Sequence, residues 1–146
     1  MQETREDRFN LHRFVEAQAG VIERVYAELR AGEKRSHWMW FVFPQIAGLG
    51  SSPTARFFAM ASLHEAIAYL QHPVLGPRLR ECTELVLEVE GRTIQQIFGS
   101  PDDMKFHSCM TLFALAAPDR TIYEEALKKY FGGAYDSLTL DRLKKN

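Results

Sequence analysis

The stretch LHRFVEAQAGVIERVYAELRA, Leu11 to Ala31, decides the fold class. Leu11, Phe14, Val15, Ile22, Val25 and Leu29 recur at helical spacing, which gathers them on one apolar stripe. One helix is predicted across the whole stretch. Gln18 falls at the centre of that stripe, a polar amide where the pattern asks for an apolar side chain.

Reading outward, the same period returns. Leu75, Leu79, Cys82, Val86 and Val89 share one face, and Leu63, Ala66, Ile67 and Leu70 another. Ser62…Glu65, Thr93…Gln96 and Thr121…Glu124 match the capping box, in which a hydroxyl and a carboxylate or amide satisfy free N–H groups at a helix start. Ser52-Pro53 and Ser100-Pro101 read as a cap followed by proline at the first helical position. Gly32, Gly91 and Gly132 stand where helices should stop. Strand signals are few, and His37 to Phe43 suits either a short helix or a strand, largely buried in both cases. The expectation is an all-α fold, a single compact orthogonal helical domain of about six to eight helices. It spans residues 9–146, after a disordered or loosely ordered N-terminus over residues 1–8.

Composition narrows the function classes. Hydrophobic residues make up 46% of the 146 and charged residues 25%, enough apolar mass to offset chain entropy. The net charge of −1 is spread along the chain, so no basic stripe speaks for nucleic acid. No apolar run reaches the roughly 20 residues of a membrane span. The polar start, Met1 to Asp7, does not read as a secretory signal. Cys82 and Cys109 sit in apolar contexts and read as buried thiols of a reducing, cytoplasmic compartment. His64-Glu65 lacks a second histidine at zinc-ligand spacing, and no nucleotide fingerprint or nucleophile elbow is present. Neither a metal nor a cofactor is implied.

The informative residues are polar ones in apolar places. An unpartnered buried amide costs about 1–3 kcal/mol, so Gln18 needs either a structural partner or a ligand. Lys105 and Ser108 lie within an apolar surface of the helix after Pro101, whose outer face is read as Asp103, His107 and Thr111. Lys105 also faces the positive end of the helix dipole and needs an acid, such as Asp102 or Asp103, or a bound anion. Gly48-Leu49-Gly50-Ser51-Ser52 runs into a helix start, which fits a plain turn or a loop whose N–H groups hold an anion. Lys34, His37, Trp38, Trp40 and Gln45 crowd one aromatic segment, which fits a core or a stacking surface.

On a set of motifs the chain resembles the bacterial domain-of-unknown-function family 1810. They are Phe14…Ala17-Gln18, Gly32-x-Lys34-x-Ser36-His37-Trp38-Met39-Trp40, Phe43-Pro44-Gln45, Gly48-Leu49-Gly50 and Ser52. Further along come His72-Pro73-x-Leu75-Gly76-x-Arg78-Leu79, Phe98-Gly99-x-Pro101-Asp102-Asp103-x-Lys105 and Ser108-x-x-Thr111-Leu112-Phe113. The likeness covers about residues 9 to 143, with His107 beside Phe106 as a departure. It implies a small, mainly helical domain and supplies no activity. Some members carry the label calpastatin. A protease inhibitor that folds on its target should be polar and disordered when free, and this chain has core to spare.

Two functions from different classes follow as expectations. In one, Gln18, Lys34, His37, Trp38, Trp40, Gln45, Gly48, Gly50, Ser52, Lys105 and Ser108 converge on a pocket for a small anionic, nucleotide-like molecule. His37 would then be the proton carrier of any hydrolase or transferase chemistry. In the other, the domain is a non-enzymatic helical module, its polar residues fastening the core while an exposed apolar patch meets a protein partner.

Overall fold

The Leu11–Ala31 stretch folds as two helices, α1 (His12–Ala19) and α2 (Ile22–Ala31), where the periodicity predicts one. The break falls at Gly20 and Val21. Glycine is a poor helix former, and Val21 leaves helical geometry with φ −129°. The computed structural model describes residues 7–145. The expectation of a loosely ordered N-terminus therefore falls, for residues 1–6, outside the described residues.

The chain continues through α3 (Met39–Val42), α4 (Pro53–Phe58), α5 (Leu63–Gln71), α6 (Leu75–Glu88), α7 (Ile94–Phe98), α8 (Asp102–Ala116), α9 (Thr121–Phe131) and α10 (Ser137–Lys145). Among the described residues there are ten helices, more than the six to eight expected. The excess is the break at Gly20 and the short α3, α4 and α7, which offer too few turns for a periodic pattern. An isolated parallel bridge joins Ile46 to Met60 and ties the loop after α3 to the end of α4.

Helix α8 is the axis of the core. It packs against α5, α7, α9 and α10, and it buries Phe106, Cys109, Met110, Leu112, Phe113 and Ala114 completely. The outer face predicted for it does not exist as such. Thr111 is fully buried, and the His107 ring stacks on Phe131 at 4.0 Å, because α9 and α10 cover that side. Met104, by contrast, is 62% exposed.

The caps sort themselves by backbone geometry. Thr93 and Gln96 form the full capping box of α7, and Ser52 caps α4. Ser62 accepts from the Glu65 N–H, but the Glu65 carboxylate turns to the Ala61 N–H and Arg13. At α8 the cap position is Pro101, and Ser100 Oγ donates to the Asp103 carboxylate. Thr121 lies inside α9, its hydroxyl donating to Asp119. Gly32 and Gly132 end α2 and α9 in left-handed conformation, whereas α6 already stops before Gly91, at Val89. Both cysteines are free and buried. Among the described residues, no helix is long and apolar enough to cross a membrane.

Candidate functional site

The predicted residues divide into separate groups. Gln18, on the buried face of α1, donates through Nε2 to the Phe41 carbonyl at 2.7 Å and to Tyr69 Oη at 3.3 Å. Its Oε1 accepts from Arg78 at 3.2 Å. The amide is satisfied within the protein, as the structural reading asks.

Ser108 belongs elsewhere. Its hydroxyl donates to the Met104 carbonyl in its own helix and to Asp136 Oδ2 at 3.0 Å, just before α10. His37 is exposed, and among the described residues no hydrogen bond or ion pair joins it to any other predicted residue. Gln18, His37 and Lys105 therefore meet separate surroundings, and among the described residues no hydrogen bond or ion pair joins them. Ser52 is occupied in capping α4.

The remaining residues do gather. The first turn of α8 offers Asp102 and, three positions on, Lys105. The loop between α2 and α3 brings Lys34, and α3 presents Trp40. Asp102 accepts from Lys105 Nζ at 3.0 Å and from Lys34 Nζ at 2.9 Å, one oxygen each. The Lys105 ammonium also sits 3.7 Å from the Trp40 ring centroid, and Lys34 lies 5.2 Å from that of Trp38. A cation over an indole face is held by the ring quadrupole, more strongly as water is excluded. The lysine side chains are only 8% and 19% exposed for Lys34 and Lys105, so their pairing is partly shielded from solvent.

Burial alone would raise the Asp102 pKa, but hydrogen bonds and charge from Lys34 and Lys105 outweigh it and hold the carboxyl below the usual range. A carboxylate so held is a weak base. Asp102 organises two positive charges and is poorly suited to take a proton. The cluster can attract negative charge, since two ammoniums share one carboxylate.

The glycine loop completes the surroundings. A Cβ on Gly50 would stand 2.8 Å from Ala55 Cβ and 3.3 Å from the Trp40 ring, so the backbone passes here only without a side chain. At Gly48, φ is +99° and a Cβ would meet the Arg142 guanidinium at 2.7–2.8 Å. Trp40, Gln45, Leu49, Gly50 and Phe58 line a hollow of about 10 Å³, room for one water. Larger open hollows of about 590 and 700 Å³ lie beside Phe9 and α5, and none of the predicted residues lines them.

Sequence reasoning missed the groups that build this corner. Glu28 Oε1 accepts from the Arg35 and Ser36 N–H groups and from Trp38 Nε1 at 2.8 Å, while Oε2 accepts from Ser36 Oγ at 2.7 Å. That carboxylate folds the loop so that Lys34 faces α8, and the Lys34 N–H donates to the Ile97 carbonyl. The available signal was an acid beside the apolar stripe with an indole donor ten positions on. Arg142 carried no signal beyond its place in a basic helix end. Among the described residues, no three His, Cys, Asp or Glu side chains gather as a metal site would require.

A family model described as a protein of unknown function, DUF1810, matches residues 8–143. The crystal structure of the conserved hypothetical protein Rv1873 from Mycobacterium tuberculosis, at 1.38 Å, is similar over 93% of this chain and 97% of its own. Its sequence identity is 57% and its TM-score 0.92. Comparison with curated proteins finds no match.

Proposed function

The chain belongs to the DUF1810 family of proteins of unknown function, and from that premise we propose that its Lys34–Asp102–Lys105 cluster receives an anionic group. The group is a phosphate or similar, held at the surface beside Trp40 and not inside a closed pocket. One observation carries the reading: two part-buried ammoniums converge on a single carboxylate, leaving one positive charge in excess. In a partly desolvated setting that excess is worth more than the same charge in water. Because Lys105 already occupies one face of Trp40, a flat base would stack there only by displacing the ammonium, so the anion and not the base is the recognised feature.

The test is a titration with pyrophosphate, against potassium chloride at matched ionic strength, read by tryptophan fluorescence and melting temperature. The wild type should gain thermal stability with pyrophosphate, since a ligand of the folded state alone shifts unfolding. Lys105→Met should lose that gain while staying folded, because Asp102 keeps Lys34. Equal responses in the two proteins, or none in either, would refute the reading.

A second reading has its own support. Met104 at 62% and Leu138 at 57% are exposed large apolar residues, on α8 and α10. They are what a protein-interaction module would offer a partner, and Met104→Ser with Leu138→Ser would then abolish association without touching the pyrophosphate response.

A further inference from the structure

We propose that α10 is a releasable strap, and that an anion at the cluster holds it down. The inference rests on the anion-binding reading above and adds to it a moving part.

The apolar docking of α10 is partial: Leu143 packs half-buried against the core and Leu140 is half-buried. Of its residues only Thr139 is fully buried, and Leu138 points mostly to solvent. Asp136 both caps the helix and ties its start to α8, the tie being the Ser108 hydroxyl on its carboxylate and its own N–H on Thr111. Asp136 Oδ2 accepts from Ser108 Oγ at 3.0 Å, from the Thr139 N–H at 3.1 Å and from Thr139 Oγ1 at 2.6 Å. The Asp136 N–H donates to Thr111 Oγ1 at 2.8 Å. Upstream lie two glycines with positive φ, Gly132 and Gly133, and the Ala134 carbonyl, 2.8 Å from His107 Nε2. A helix held by half-buried leucines and a few polar contacts beyond a glycine joint opens locally at lower free energy than the core it rests on.

The strap matters because of what it carries. Arg142 lies against Gly48, at one end of the loop whose other end, Gly50, touches the Trp40 ring under Lys105. Docked α10 thus places a third cation against the glycine loop that abuts the Trp40 ring. An anion that meets both Lys105 and Arg142 binds the docked state in preference to the released one. By linkage it must tighten docking by the same factor that release weakens its binding.

Amide hydrogen exchange on the full chain, followed by mass spectrometry, tests this with pyrophosphate as the probe. Residues 137–145 should exchange faster than 102–116. Asp136→Ala should speed exchange in 137–145 by about tenfold or more, the factor for each 1.4 kcal/mol lost, and leave 102–116 unchanged. Pyrophosphate should slow exchange in 137–145 of the wild type, and its affinity should fall several-fold in Arg142→Ala, a surface change that spares the fold. If α10 exchanges with α8, or Asp136→Ala speeds both alike, there is no strap. If pyrophosphate binds but ignores Arg142→Ala and leaves α10 exchange unaltered, the coupling fails while the anion reading stands. If the wild type binds no pyrophosphate, both fall.

Discussion

Glu28 illustrates how much one buried carboxylate decides. It is 9% exposed, yet its surroundings favour the carboxylate form. Burial would raise its pKa, but the Arg35 N–H, the Ser36 hydroxyl, the Trp38 indole and the Ser36 N–H together hold it below its ordinary 4.5. Its folded pKa is therefore lower than its unfolded one. The stabilisation is whole above the ordinary value and drains away as pH falls through the folded value. Glu28→Gln keeps the shape, loses charge-assisted acceptance, and should cost about 1–3 kcal/mol in urea unfolding at neutral pH. The variant should also show a shallower loss of stability below pH 4.5 than the wild type, because the titrating group is gone. An unchanged acid limb would mean that Glu28 is not the group being protonated.

Between elements, Arg13 does for α1 what Glu28 does for the loop. Its guanidinium donates to five acceptors: the carbonyls of Phe9, Asn10, Phe57 and Ala59, and the Glu65 carboxylate at 2.8 Å. With side chains 9% and 3% exposed, the Arg13–Glu65 pair is nearly dry. Removing one partner strands the other charge, so Arg13→Met should cost about 3–5 kcal/mol by chemical denaturation. Arg13→Lys should recover only part of that, because an ammonium has three donors and no planar fork. Full recovery by lysine would reduce the site to a point charge. The next junction is steric. A Cβ on Gly76 would stand 2.2 Å from the Leu70 carbonyl oxygen, which is why α5 and α6 meet so closely.

Across the whole molecule, the misplaced polar residues separate into three nodes. Gln18 answers to Phe41, Tyr69 and Arg78; Lys105 to Asp102 and Trp40; Ser108 to Met104 and Asp136. No partner is shared. The stability losses of Gln18→Leu and Lys105→Met should therefore add, within about 0.5 kcal/mol, in the double variant. A coupling well beyond that would mean that the two residues act as one unit.

Periodicity and composition alone determined that this chain is helical, that its cysteines are buried, and that Gln18 and Lys105 need partners. Those are local or additive properties, set by spacing, by apolar content and by the cost of an unsatisfied dipole. The motif segments also carried the family likeness. Only the tertiary structure decided where those needs are met, because hydrogen bonds such as Gln18 to Tyr69, Arg13 to Glu65 and Ser108 to Asp136 join residues far apart in the chain. Their partners are chosen by how helices pack in three dimensions, and spacing along one strand of sequence does not encode that choice. The same packing brings Asp102 to both lysines and leaves beside Trp40 room for a single water.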